Sequence, residues 1–202
     1  GKDGAPTVYN IGNMSGLKDW DEYALDLTGT ARAGELATND FNLYNEAGEL
    51  KAMGYCYESF GIIVNTKLLA DAGHSLDEIK DFASRKAVAD DIHARAAELG
   101  FDAFSSAGLD SSSSWRFSGH LANMPLYYEF RDDGVTEQPA EIKGTYLDNF
   151  RNIWDLYITD SAADPTALST ATGDQSEAEF GEGKAVFYQD GTWEYAALTA
   201  DK

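Results

Sequence analysis

The chain's last apolar segment is followed at once by residues that could hold a ligand. Residues 185–188 are β-branched and aromatic, which predicts a buried strand, and Gln189, Asp190, Gly191 and Trp193 come next. A tryptophan at the end of a strand can stack its flat apolar face on a sugar ring, while amide and carboxylate groups bond the hydroxyls. The alternative is that Trp193 only packs its own helix against the sheet, and its position alone favours neither interpretation.

Strand-turn-helix units would position these side chains. Asp190-Gly191 predicts a tight turn after the strand, and Thr192 is suited to cap the helix that follows. The same order occurs near the start, where residues 6–11 predict a strand, Asn13 follows it, and residues 17–27 predict an amphipathic helix. Because ligands of open α/β sheets sit beyond the carboxyl ends of the strands, Asn13 and Asp190 are both candidate ligand residues.

A third unit of the same kind lies in the middle of the chain. Residues 101–104 predict a short strand, and the serine-rich loop 105–114 then leads to Trp115 and Arg116. Trp115 is a further candidate ligand residue, whereas for Arg116 we favour pairing with one of the many carboxylates. Several such α/β units alternate along the chain, which predicts a mostly parallel sheet with helices on both faces.

The composition and net charge of the chain argue against several classes of binding partner. The chain has 202 residues, a net charge of -20 and a 43% apolar content, enough for a substantial core. The negative charge argues against nucleic acid or an anionic membrane as a partner. No apolar run is long enough to span a membrane. Cys56 is the only cysteine, so no disulfide can form within the chain.

Motifs for other chemistry are absent from the sequence. The histidines His74, His93 and His120 are too scattered to predict a metal site, and no nucleotide or cofactor motif is present. A glycosidase is the main enzymatic alternative, since it needs two facing carboxylates. Glu58, Asp190 and Glu194 are available for that role, but their spacing does not single out a pair. We therefore predict no catalytic residues, no metal and no cofactor.

Three stretches resemble one protein family, the carbohydrate-binding proteins of ABC importers (family 1 type). Residues 180–193, FGEGKAVFYQDGTW, resemble the family's F-x-x-GKAAF-x-x-G-[ST]-W corner. Residues 54–73 resemble its first crossover between lobes, G-x-P-x-x-x-E-x-x-G-[IL]-x-Y-N-K-x-[LI]-[LF]-x-x-A-G. There Glu58, Gly61, Asn65, Lys67, Leu68, Leu69, Ala72 and Gly73 are in register. The start of the chain resembles the family's A-P-D-[VI]-x-x-x-G-N, with Thr7 in place of the aspartate.

The resemblance implies a fold and a set of domains. The fold would be α/β, of the type II periplasmic-binding-protein kind, with mostly parallel sheets flanked by helices. Residues 1–57 would form part of lobe one, residues 58–61 the hinge crossover, and residues 62–202 most of lobe two. Family members are longer, so the chain is expected to be a fragment that binds sugar weakly or not at all.

The resemblance also implies a function. The protein would bind a mono- or oligosaccharide outside the cell and deliver it by hinge closure to the permease subunits of an ABC transporter. The full-length protein would be extracellular and anchored to the membrane as a lipoprotein. The acidic residue of the hinge can bond sugar hydroxyls in this family, which adds Glu58 to Asn13, Trp115, Asp190 and Trp193 as predicted ligand residues. The alternatives are a glycoside hydrolase and a carbohydrate-binding adhesion or scaffold module.

Overall fold

The computed structural model describes residues 4–137 and 139–200. The chain divides into two compact units, Gly1–Glu58 and Ser59–Lys202, which we treat separately. Whether these units correspond to the predicted lobes and hinge stays a prediction. The α-helices are α1 Met14–Trp20, α2 Thr66–Asp71, α3 Phe82–Ala94, α4 Ala96–Leu99, α5 Asn123–Asp133, α6 Leu147–Trp154, α7 Gly173–Gly181 and α8 Tyr195–Thr199. The strands are β1 Leu43–Tyr44, β2 Leu50–Ala52, β3 Phe60–Val64, β4 Asp102–Phe104 and β5 Ala185–Gly191.

Short turns of other helical types complete the structure. The 3₁₀ turns are Ala33–Glu35, Leu76–Glu78, Pro165–Ala167 and Thr192–Glu194. Two wider, π-helical turns, Arg116–Ala122 and Asp155–Thr159, directly precede α5 and follow α6. Because π turns often occur at functional sites, Arg116–Ala122 is of particular interest.

In its described residues, 4–58, the first unit contains one α-helix, one 3₁₀ turn and an antiparallel pair of strands. Asn13 caps α1 by accepting a hydrogen bond from the Gly16 amide at 2.8 Å. The strand predicted over residues 6–11 is wrong, since these residues are irregular and the side chain of Val8 is 87% exposed. The physical reason is that no strand among the described residues pairs with them. The helix predicted over 17–27 is also shorter and ends at Trp20.

The second unit is built on a three-stranded sheet in the order β3-β5-β4. The central strand β5 is buried along its whole length, as predicted for residues 185–188. It runs parallel to β4 but antiparallel to β3. The α/β class is therefore confirmed, but the sheet is mixed and not mostly parallel as predicted. Phe60 at the start of β3 lies opposite Gly191 at the end of β5, so these two strands run in opposite directions.

Helices cover this sheet and complete one apolar core. Asn65 caps α2, Asp81 caps α3, and Thr172 forms a capping box with Gln175 at the start of α7. The core side chains come from α2, α3, the π turn before residue 160 and strands β4 and β5: Leu69, Val88, Ile92, Phe104, Leu156, Ile158 and Phe187. Full burial of each large apolar side chain is worth about 1.5–3 kcal/mol, so this core holds β5 firmly in place.

The corner after β5 differs from the predicted turn. Strand β5 continues through Asp190 and Gly191, and Gly191 has an extended backbone with φ of -123°. The chain turns only in the 3₁₀ segment Thr192–Glu194, whose start has no side-chain cap, so the predicted cap by Thr192 is wrong. A Cβ atom at Gly191 would lie 2.2 Å from the Trp193 ring. Glycine is therefore needed here for close approach and not for a positive φ.

Candidate functional site

Four aromatic rings of the second unit form one cluster, which we call the ring cluster: Phe60, Trp115, His120 and Trp193. His120 stacks on Phe60 with centroids 4.1 Å apart and planes 8° from parallel. Trp115 meets His120 edge-on at 5.1 Å, and Trp193 lies 5.7 Å from His120 and 6.3 Å from Trp115. Phe60 and Trp115 are each 49% exposed, so the cluster presents a broad apolar face to solvent.

The ends of three elements bring these rings together. Phe60 begins β3 and lies beside Gly191, the last residue of β5. Trp193 follows in the 3₁₀ turn, where its ring lies directly over Gly191. Trp115 and His120 lie just before and within the π-helical turn Arg116–Ala122. The cluster thus depends on the β3–β5 register and on the wider spacing of that turn.

A layer of buried polar groups lies next to the rings. Arg116 donates hydrogen bonds of 2.8 Å from Nη1 to the Asp190 carboxylate and to the Tyr188 hydroxyl, and Nη2 donates to the Ala107 carbonyl at 3.3 Å. The side chains of Arg116 and Asp190 are 7% and 1% exposed. The other Asp190 oxygen accepts from the Gly191 amide at 2.9 Å. Each charge is therefore compensated, as a buried pair requires.

Burial also shifts nearby acids toward their neutral forms. Burial raises the pKa of the Tyr188 hydroxyl, and the charge of Arg116 opposes this only partly. Burial, and then the negative charge of Asp190, raises the pKa of Glu194. Glu194 follows Trp193 directly, so the turn carries both an aromatic ring and a carboxyl group whose pKa is raised.

Gln189, a buried residue of β5, holds the His120 ring in position. The Gln189 amide nitrogen lies 3.2 Å from His120 Nδ1. Burial lowers the pKa of the His120 ring, while the charge of Asp190 acts against this shift. The ring therefore favours its neutral form.

A groove of about 920 Å³ runs along the outer edge of β3. It is lined by Phe60 to Lys67 and by Phe180, Tyr195 and Leu198, and it reaches Asp190. Most of this lining is apolar, and Trp115, His120 and Trp193 are not part of it. We therefore base the candidate site on the ring cluster, where aromatic faces and polar groups occur together.

The predicted ligand residues fall into two groups. Trp115, Asp190 and Trp193 are brought together in the second unit, although Asp190 is buried against Arg116 and not free in solvent. Asn13 and Glu58 belong to the first unit, where Asn13 caps α1 and Glu58 is exposed. Pairing of Arg116 with a carboxylate, which the sequence favoured, is present.

Two members of the ring cluster, Phe60 and His120, were not predicted as ligand residues. The position of Phe60 at the start of the crossover strand could have indicated it. His120 follows Trp115 by five positions, which matches the wide π turn and not the three- or four-residue spacing of an α-helix. Helical periodicity therefore gives no signal for the contact between His120 and Trp115.

Residues 4–137 and 139–200 lack two other kinds of feature. This part of the chain has no group of three or more histidine, cysteine, aspartate or glutamate side chains placed to hold a metal ion. It also has no helix of the length and apolar character that crossing a membrane requires.

Comparison with known proteins places the chain among binding proteins. A family model described as bacterial extracellular solute-binding protein matches residues 3–202. No curated protein sequence matches the chain significantly.

Solved structures give the same fold. A protein of xylan utilization from the thermophilic bacterium Caldanaerobius polysaccharolyticus is similar with a TM-score of 0.65 and 18% identity, over 92% of this chain and 46% of that one. RafE, solved in complex with raffinose, has a TM-score of 0.59 and 18% identity, over 90% of this chain and 47% of its own. A chitin oligosaccharide binding protein has a TM-score of 0.56 and 23% identity, over 78% and 38%. The chain thus spans less than half the length of these three proteins.

Proposed function

Because the chain belongs to the bacterial extracellular solute-binding proteins, we propose that it supplies the sugar-binding face of such a protein. The observation that carries the proposal is the ring cluster, with half-exposed aromatic faces beside buried polar groups. Apolar faces of a sugar ring suit aromatic stacking, and each stacked ring contributes an estimated 0.5–1.5 kcal/mol beyond area burial, by analogy with aromatic pairs. That similar folds include a raffinose complex and a chitin oligosaccharide binding protein supports the same ligand class.

Each group of the site has a role in this proposal. Trp115 and Trp193 stack on the sugar, and His120, positioned by the buried Gln189, supplies a polar contact at its edge. Asp190 has an indirect role, because its hydrogen bond of 2.8 Å holds the Arg116 side chain in place. Asn13 and Glu58 would bond sugar hydroxyls from the other lobe once the two lobes close. This assigns residues 1–57 to lobe one, 58–61 to the hinge and 62–202 to lobe two.

The proposal extends to the whole protein from which such a chain comes. The closed, sugar-loaded form would dock on the permease subunits of an ABC transporter outside the cell, and a lipoprotein anchor would keep it near the membrane. We propose no enzymatic step. Of the acids available to a glycosidase, Asp190 is 1% exposed and paired with Arg116, so it is poorly placed to act as a nucleophile or base.

The test is a titration of the 202-residue chain with raffinose, xylo-oligosaccharides and chitin oligosaccharides, followed by NMR. Signals of the four tryptophan indoles report the site directly, even when binding is weak. We expect shifts of the Trp115 and Trp193 signals with one sugar class, and a roughly tenfold weaker affinity in Trp193→Ala, equivalent to about 1.4 kcal/mol.

Trp154→Ala is the matched control, because Trp154 is also partly exposed but packs edge-on against Phe117 at 5.7 Å, outside the ring cluster. This variant should bind as the unmodified chain does. A folded chain whose Trp115 and Trp193 signals respond to none of these sugars would contradict the proposal and favour the scaffold alternative. Cleavage of the sugar during the titration would favour the glycosidase.

A further inference from the structure

His120 is the central ring of the cluster. Its face lies on Phe60 at 4.1 Å, Trp115 points an edge at it from 5.1 Å, and Trp193 lies at 5.7 Å. Each of the other three rings therefore contacts His120. A movement of this one ring must change the shape of the whole aromatic face.

Gln189 determines which nitrogen of His120 carries the proton. The amide nitrogen of Gln189 can only donate, so Nδ1 at 3.2 Å accepts, and the neutral ring is protonated on Nε2. A doubly protonated ring would direct a second N–H at the amide N–H of Gln189. Since Gln189 is buried, water cannot easily relieve this conflict.

The charges that act on His120 are those of Asp190 and Arg116. The Asp190 carboxylate favours a protonated ring and the Arg116 guanidinium opposes it. The two are bonded to each other at 2.8 Å and act in opposite directions, and burial, the largest influence, lowers the pKa of the ring. Phe60, Trp115 and Trp193, which also face the ring, carry no charge. The packing around His120 therefore favours the neutral form of its ring.

We propose that neutral His120 holds Phe60, Trp115 and Trp193 in the arrangement that binds sugar, and that protonation of His120 releases these rings and weakens binding. The ligand in this statement rests on the proposed function, whereas the movement of the rings with pH does not. If only the neutral form binds, apparent affinity falls about tenfold for each pH unit below the titration midpoint of His120.

The ring movement is tested first, without sugar. Nitrogen-15 NMR of the 202-residue chain should show the Nε2–H tautomer of His120 at about pH 8, where the neutral ring prevails. Its titration midpoint should lie below that of His74, whose pKa is raised by hydrogen bonds to Glu78 and Asp91. Tryptophan fluorescence should change with the midpoint of His120. An Nδ1–H tautomer, or fluorescence that does not follow this titration, would overturn the proposal.

Two variants show whether Gln189 controls the switch. Gln189→Glu offers a carboxylate that accepts from protonated Nδ1, so the midpoint of both signals should rise. His93→Gln is the control, since His93 is bonded to Asp102 at 2.8 Å and is not part of the ring cluster. It should leave both midpoints unchanged. A midpoint that does not move in Gln189→Glu would contradict the role of Gln189.

The sugar arm uses raffinose at about pH 8 and about pH 5, on either side of the histidine range. Weaker binding at the lower pH in the unmodified chain supports the coupling, and equal affinity at both pH values overturns it. If raffinose and the other test sugars fail to bind while the NMR and fluorescence results hold, the proposed function fails and the ring movement stands.

Discussion

Two regions of the second unit combine the same residue types, a histidine, an arginine and an aspartate. Next to the ring cluster, Arg116 bonds Asp190 at 2.8 Å with side chains 7% and 1% exposed, close to His120. On the outer face of α3, Arg95 bonds Asp91, and the two side chains are 34% and 44% exposed. His74 bonds the same Asp91 carboxylate at 2.8 Å and Glu78 at 2.9 Å.

The two histidines respond in opposite directions. Hydrogen bonds to Glu78 and Asp91 raise the pKa of His74, whereas burial lowers the pKa of His120 although Asp190 is near. The difference is that His74 is hydrogen-bonded directly to two carboxylates, whereas Asp190 is bonded to Arg116 and acts on the more deeply buried His120 only through its charge. Direct bonding to carboxylates against burial of the ring, and not residue type, therefore decides whether the pKa of a histidine is raised or lowered.

The largest expected contrast is in stability. Asp190→Asn keeps the shape of the side chain but leaves the buried charge of Arg116 unpaired, which should cost about 3–5 kcal/mol. Asp91→Asn removes an exposed partner of Arg95 and should cost less than about 1 kcal/mol. Urea unfolding of both variants, followed by circular dichroism, measures the difference.

A double variant sharpens this result. Arg116→Met combined with Asp190→Leu replaces both buried charges by apolar groups and should recover much of the stability that Asp190→Asn loses. Similar losses for Asp190→Asn and Asp91→Asn would show that burial does not separate the two regions. The contrast between the buried and the exposed charge pair would then be wrong.

The next contrast concerns close packing at the end of β5. Gly191→Ala places a Cβ atom 2.2 Å from the Trp193 ring, so the ring must move, at a cost of about 1–3 kcal/mol. Gly61→Ala is the matched control, because Gly61 pairs with Asp190 on the neighbouring strand and its Cβ would meet no atom within 4 Å. Only Gly191→Ala should change tryptophan fluorescence as well as the midpoint of thermal unfolding. Equal effects of the two variants would contradict the role of close approach.

The elements that were predictable are those with local signals. The apolar run of 185–188 forms the predicted buried strand, and Arg116 pairs with a carboxylate as the sequence favoured. The strand predicted over 6–11 is absent, because a strand needs a partner and a single segment does not show whether one is available.

The candidate site was partly predictable for the same reason. Trp115, Asp190 and Trp193 were candidates because each follows, in the sequence, a predicted strand or the loop that leads from one. Phe60 and His120 meet them only through the β3–β5 register and a π turn, which no local pattern indicates. The need for glycine at 191 was assigned to a turn, while the structure shows contact with Trp193.

The smallest expected contrast is the pH dependence of stability. Because the folded pKa of His74 is raised above its unfolded value of about 6.5, its stabilising contribution is complete below about pH 6.5 and is lost as pH rises through the folded value. The lowered pKa of His120 has the opposite sign, so its contribution is present above about pH 6.5 and is lost as pH falls through the folded value.

His74→Gln and His120→Gln separate these contributions. In urea unfolding between about pH 8 and about pH 5, His74→Gln should lose most stability relative to the unmodified chain at the acid end. The deficit should stay below about 1 kcal/mol because the partners of His74 are half exposed. His120→Gln should compare least favourably at the alkaline end, where neutral His120 is fully stabilising. A loss of stability that changes with pH in the same direction in both variants would show that the two histidines share one electrostatic environment. That result would contradict the contrast between the buried and the exposed region.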